Sequence, residues 1–158
     1  MKIVLDSNVI IAAFAARGLA NSIFELCLKE HEICLSERIL EEVESALESK
    51  LKMRREHVSF YSNFLRKSSV MGAAVDVDES VCRDRNDLHV LGLAEKAGAE
   101  IIISGDDDLL ELRSFKGIPI LSPREFLERQ RKADRRHMAG KEAARPKKIH
   151  ERPKAKYR

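Results

Sequence analysis

The chain has 158 residues, 44% of them apolar and 35% charged, with a formal net charge of +3. That length suffices for one domain with a sizeable core, and no apolar run approaches the roughly 18 residues that a membrane span needs, so no membrane partner is expected. The charge is unevenly placed: residues 129–158 hold 13 Lys/Arg against 3 Asp/Glu, a balance of +10, and residues 1–128 hold 16 against 23, a balance of −7.

In chain order, the apolar run at 2–5 reads as a buried strand that ends on Asp6. Helices are expected over residues 8–16 and Asn21 to Lys29, then a short strand from Glu32 to Leu35. Ser36 is placed to N-cap a helix running through about Leu51, followed by another from Arg54 to Ser69. Ala73 to Val77 reads as a third strand, and Asp87 to Lys96 as a helix stopped by Gly98. Ile101 to Ser104 is a fourth strand, opening onto Asp106, Asp107 and Asp108, with a short helix from Asp108 to Ser114. Ile118 to Leu121 makes a fifth strand, where Pro119 predicts an edge position. Ser122-Pro123-Arg124-Glu125 is a capping box with proline at the first helical position, starting a last helix through about Arg131.

Strands alternating with helices predict a three-layer α/β/α sandwich around a mainly parallel sheet of about five strands. Its continuous apolar strands fit burial on both faces. The domain is expected over residues 1–130, with residues 131–158 a basic tail, disordered or partly helical. Past Ala139 the helical pattern stops, and Pro146 and Pro153 fall among lysines. Such a tail is either an arm for phosphate backbones or a solvated extension. Cys27, Cys34 and Cys82 are odd in number and lack CxxC spacing. They read as buried free thiols in a reducing cytosol, and with no signal-peptide pattern the expected location is the cytoplasm.

The acids carry the chemistry. Asp6 caps the helix after it or ligates a metal, and Asn8 caps too or holds a carboxylate. On the helix from Ser36, the apolar residues Ile39, Leu40, Val43, Ala46 and Leu47 share a face with Lys50. Glu41 and Glu48 lie opposite, while Glu42 and Glu44 flank the stripe and either can reach inward. Asp87 shares a face with Val90, Leu91 and Ala94, so it needs a partner or sits in the first turn for the helix dipole. Asp84 reads as a cap, and His89 as a surface histidine. Asp106 and Asp108 face the same space, with Asp107 turned away. Asp108 can instead cap the short helix, and Ser104 can orient a neighbouring carboxylate. Strand-tip acids brought side by side repel unless a cation or shared protons compensate, which suggests a divalent metal. There is no GxSxG elbow, Walker loop, GxGxxG or Cys–His spacing.

Five segments together resemble the PIN domain family of metal-dependent ribonucleases, in the branch known as toxins of toxin–antitoxin pairs. They are residues 4–9, residues 35–43, Cys82-Arg83-Asp84-Arg85-Asn86-Asp87, residues 102–110 with Ser104-Gly105-Asp106, and residues 120–127. The resemblance runs over roughly residues 1–128. It implies four catalytic, metal-holding acids at Asp6, Glu42, Asp87 and Asp106, supported by Asn8, Ser104, Asp84 and Asp108. It implies Mg²⁺ or Mn²⁺, hydrolysis of single-stranded RNA, an antitoxin partner and a homodimer. Arg83, Arg85 and the tail are the cations expected to bring RNA to an acidic cleft. Arg85 and Asn86 stand where this branch usually has Pro and Asp, which leaves one acid fewer beside Asp87. The alternatives are a non-catalytic scaffold of the same fold that binds nucleic acid or protein, and a phosphatase with Asp6 as nucleophile, for which Asn8 is a poor acid–base.

Overall fold

The computed structural model describes residues 1–143. Residues 1–127 make one compact unit, and the described residues from Glu128 on belong to a second. The prolines at 146 and 153 and the end of the expected tail lie outside the described residues.

The sheet has the order β3-β2-β1-β4-β6-β5, one strand more than expected. Strands β1 (Lys2–Leu5), β2 (Glu32–Leu35), β3 (Val70–Met71), β4 (Ile101–Ile103) and β6 (Ile118–Leu121) run parallel, and β5 (Ser114–Phe115) runs antiparallel to β6. Ile3, Val4, Leu5, Ile101, Ile102 and Ile103 are all fully buried. Strands covered on both sides are what helices on the two faces of a parallel sheet produce, and they explain the unbroken apolar runs. Burying each such side chain contributes about 1.5–3 kcal/mol. Ile3, Val4 and Leu5 lie level with Ile101, Ile102 and Ile103, and the Asp6 amide extends this ladder by donating to the Ile103 carbonyl at 3.0 Å. Register therefore brings the residues after β1 and β4 to the same end of the sheet.

The helices are α1 (Ser7–Ala15), α2 (Leu19–Glu30), α3 (Glu37–Ser49), α4 (Arg55–Ser68), α5 (Leu88–Ala97), α6 (Asp107–Leu112) and α7 (Pro123–Ala143). Ser36 N-caps α3, accepting from the Ile39 amide at 3.3 Å, and Gly98 closes α5 with φ 63°. Ile39, Leu40, Val43, Ala46 and Leu47 are buried, whereas Lys50 is exposed. Cys27, Cys34 and Cys82 are buried free thiols, and burial pushes the Cys27 thiol up to about 12. Among the described residues no single helix is long and apolar enough to cross a membrane.

Four expectations are corrected. The strand read at 73–77 forms at 70–71 instead. Residues 73–77 pack along α5, where the Val75 amide donates to the Gly92 carbonyl at 3.3 Å. A Cβ on Gly92 would stand 2.0 Å from the Val75 carbonyl oxygen, so only glycine admits this crossing. Pro119 is not on the edge, because β5 lies outside β6. Lys116 and Gly117, with φ 47° and 80°, make the two-residue positive-φ hairpin turn that folds β5 back. Residues 85–87 form a 3-10 turn ahead of α5, and α7 runs to Ala143 rather than stopping near Arg131.

Candidate functional site

Asp6 leaves the end of β1 almost completely buried, 4% exposed. It caps α1 and is also held from three directions. Its Oδ1 accepts from the Ser7 amide at 2.8 Å. Its Oδ2 accepts from Asn8 Nδ2 at 3.1 Å and from Ser104 Oγ at 2.7 Å. Burial raises its pKa, against the lowering effect of the Ser104 and Ser7 bonds; Glu42 raises it further and His89 lowers it.

Asp106 follows β4 in the adjacent strand. Ser104 Oγ, while donating to Asp6, accepts from the Asp106 amide at 2.9 Å, and the Gly105 amide donates to Asn8 Oδ1 at 3.0 Å. Asn8 and Ser104 thus tie the two strand ends together. Asp106, not Asp108, caps the short helix, with Oδ1 accepting from the Asp108 amide at 2.8 Å. Asp107 is exposed.

Of the two glutamates flanking the α3 stripe, Glu44 accepts a hydrogen bond from Ser62 on α4. Glu42 instead faces the strand ends and receives His89 Nε2 at 2.9 Å, with Arg38 Nε at 3.6 Å. Burial works to raise the Glu42 pKa, but the hydrogen bonds from His89 and Ser7 and the charges of His89 and Arg38 bring it below its ordinary value.

Asp87 sits in the 3-10 turn, and its Oδ2 is buried with no hydrogen-bond partner among the described residues. Burial, and then the charges of Asp106, Asp6 and Asp84, push its carboxyl up to about 7. Asp84 caps that turn through the Asn86 amide at 2.9 Å.

Asp6, Glu42, Asp87 and Asp106 all line one cleft of about 660 Å³, with Asn8, Asn86, Arg38 and Lys50 on its walls. Side-chain oxygens of Asp84, Asp87 and Asp108 also lie within 4.8 Å of one another. Asp87 is common to both groups. The cleft acids, among them Asp87 with a buried oxygen lacking a donor and a carboxyl pushed up by burial and its acidic neighbours, offer oxygen donors suited to a hard cation such as Mg²⁺ or Mn²⁺. The open sheet gathers them at the carboxyl ends of its strands, where such sheets place ligand sites. Arg83 and Arg85 are exposed and paired with acids, Arg83 with Asp108 at 2.7 Å and Arg85 with Glu79 at 2.8 Å.

Two residues of the site escaped sequence reasoning. His89 is no surface residue: its side chain is 8% exposed and bonded to Glu42. Its place two residues after Asp87, at the entry of α5, was the available signal. Arg38 lines the cleft one helical turn before Glu42, and that spacing was readable as an i,i+4 pair.

A family model described as PIN domain matches residues 2–108. The chain belongs to the PIN domain family. The match takes in Asp6, Glu42, Asp87, Asp106 and Asp108 and stops short of the end of the resembling segments near residue 128. No curated protein matches at a significant level. Among solved structures, this PIN domain is similar to VapBC2 from Rickettsia felis bound to a DNA fragment from their promoter. The TM-score is 0.53 at 14% identity, covering 77% of this chain and 98% of that one. At that identity the likeness speaks for the fold alone.

Proposed function

We propose that this PIN domain is a metal-dependent endoribonuclease that hydrolyses phosphodiester bonds of single-stranded RNA in the cytoplasm, as the toxin of a toxin–antitoxin pair. The observation that carries the reading is the convergence of Asp6, Glu42, Asp87 and Asp106 on one cleft. Family membership supports it.

Asp6, Asp87 and Asp106 would hold Mg²⁺ or Mn²⁺, and Glu42 a second ion or the attacking water. Such an ion, when bound, supplies a nucleophile at neutral pH and offsets charge on the phosphate. The chain's own residues do the rest. Ser104 and Asn8 fix the Asp6 carboxylate from one side, and Asn8 keeps the Asp106 turn in register with it. His89 holds the Glu42 carboxylate. Asp84 and Asp108 stand beside Asp87. Arg83 and Arg85 are exposed cations, and surface ion pairs as weak as theirs exchange readily for phosphate. An antitoxin would restrain the enzyme, and a second copy would complete a homodimer.

The test is cleavage of single-stranded RNA by the full chain with Mn²⁺, with EDTA, and after Asp6→Asn. Cleavage that needs the metal and is lost in the variant supports the reading. Cleavage that survives both chelation and substitution defeats it.

A further inference from the structure

The sequence ends the last helix near Arg131 and leaves the residues after it in a basic tail, disordered or partly helical, among the cations expected to attract RNA. The structure makes residues 129–143 helix within α7, and a helix sorts its side chains by angle. At about 100° per residue, Arg129, Arg131, Lys132, Arg135 and Arg136 fall within an arc of about 160°. Ala133, Asp134, His137 and Lys141 occupy the other side, and Glu128 falls within the cationic arc. All five cations are exposed, and among the described residues none of them is ion-paired to an acid. They include four like-charge pairs at i,i+3 or i,i+4 spacing: 129 with 132, 131 with 135, and 132 with 135 and 136. Such pairs destabilise a helix in isolation. Residues 131–141 are exposed on every side, so no core burial compensates for that repulsion.

We infer that this face of α7 is a landing site for the phosphate backbone of single-stranded RNA, separate from the cleft that cuts it. The inference rests on the ribonuclease reading for the choice of polyanion. Charge complementarity supports it: residues 1–128 carry a balance of −7 despite the exposed Arg83 and Arg85, whereas this face of α7 presents five cations. An anionic membrane surface fits less well, because the opposite side of the helix, with Asp134 and His137, lacks the apolar face that interfacial helices bury. Contacts of this kind position a strand without reading its sequence.

The experiment measures binding of a fluorescent single-stranded RNA to the full chain in EDTA, where cleavage is off, across a salt series. One variant replaces all five cations by glutamine, a good helix former. A second keeps net charge but moves it around the helix: Arg131→Gln and Arg135→Gln with Ala133→Lys and His137→Lys. The glutamine variant is expected to bind about tenfold or more weakly near 0.1 M salt, with the slope of log K against log salt shallower by up to about 3.5. The rearranged variant is expected to bind more weakly than the unaltered chain although its charge is unchanged. Affinity and slope unaltered in the glutamine variant, full affinity in the rearranged one, or tighter binding of duplex DNA than of single-stranded RNA would each overturn the inference. A chain that binds RNA through α7 but never cuts it keeps this inference and loses the ribonuclease reading. One that cuts RNA with both variants behaving normally does the reverse.

Discussion

Ser104 Oγ donates to Asp6 Oδ2 at 2.7 Å across 98 residues of chain. The bond joins the ends of β1 and β4, and Ser104 is fully buried. It opposes the upward push of burial on the Asp6 carboxyl, keeping that group available to a cation. Ser104→Ala removes the only hydroxyl in this link and leaves a buried carboxylate oxygen short of a donor. Mn²⁺ affinity measured by calorimetry is expected to fall about 10–100-fold, and stability in urea to fall by about 1–3 kcal/mol. Ser104→Thr keeps the hydroxyl and should keep most of the affinity. Equal Mn²⁺ binding by the alanine variant would remove Ser104 from the site.

Asp87 sets a pH dependence of the metal-free protein. Its carboxyl is pushed up to about 7 by burial and then by Asp106, Asp6 and Asp84, against an unfolded value of about 3.9. A raised carboxyl binds its proton more tightly folded than unfolded. The stability it contributes is complete below the unfolded value and is lost as pH rises through about 7. In EDTA, the melting temperature should therefore drop between pH 5 and pH 8 more in the unaltered chain than in Asp87→Asn. At pH 8 the variant should be the more stable of the two, and without RNA cleavage. Parallel melting curves for the two proteins across that range would contradict this account.

The same acids divide into those legible in the sequence and those fixed only by the fold. The positions of Asp6 and Asp106 were legible because buried apolar runs that open onto acids put those acids at the carboxyl ends of parallel strands. Glu42 and Glu44 were not separable by helical angle, since both flank the stripe; Ser62 of α4 decides it by taking Glu44. The β5–β6 hairpin was hidden because Lys116-Gly117 carries only half of the usual positive-φ signature. The length of α7 was hidden for a different reason. Helix reading relies on an apolar period, and residues 131–141 bury none. His89 was misplaced because its place two residues after Asp87 marks it as near the site without showing that Glu42, from α3, is its partner.

Gly92 shows the same limit at the backbone. In the middle of a buried helix, Gly→Ala normally gains about 1 kcal/mol of helix propensity. Here the new methyl would stand 2.0 Å from the Val75 carbonyl oxygen and 3.2 Å from Ala74 Cβ, so residues 73–77 or α5 must move. Overpacking of that kind costs about 1–3 kcal/mol. Gly92→Ala is expected to lower the urea midpoint, and an unchanged or raised midpoint would mean the loop yields freely.

His89 is the sharpest case of a residue acting through another. Its Nε2 donates to Glu42 Oε1 at 2.9 Å, its side chain is 8% exposed, and its buried Nδ1 has no hydrogen-bond partner among the described residues. The imidazole is therefore fixed chiefly by packing, and it fixes the carboxylate in turn. His89→Ala leaves Glu42 with its burial and without one of its two hydrogen-bond donors, so the carboxyl should titrate higher and turn less reliably toward the cleft. Mn²⁺ affinity and RNA cleavage should fall together, by about 10–100-fold. His89→Gln offers an amide donor of similar reach and should recover part of both, whereas a merely space-filling role would favour His89→Leu over it. Leucine outperforming glutamine in Mn²⁺ affinity would mean that the ring's volume, and not its hydrogen bond, is what Glu42 needs.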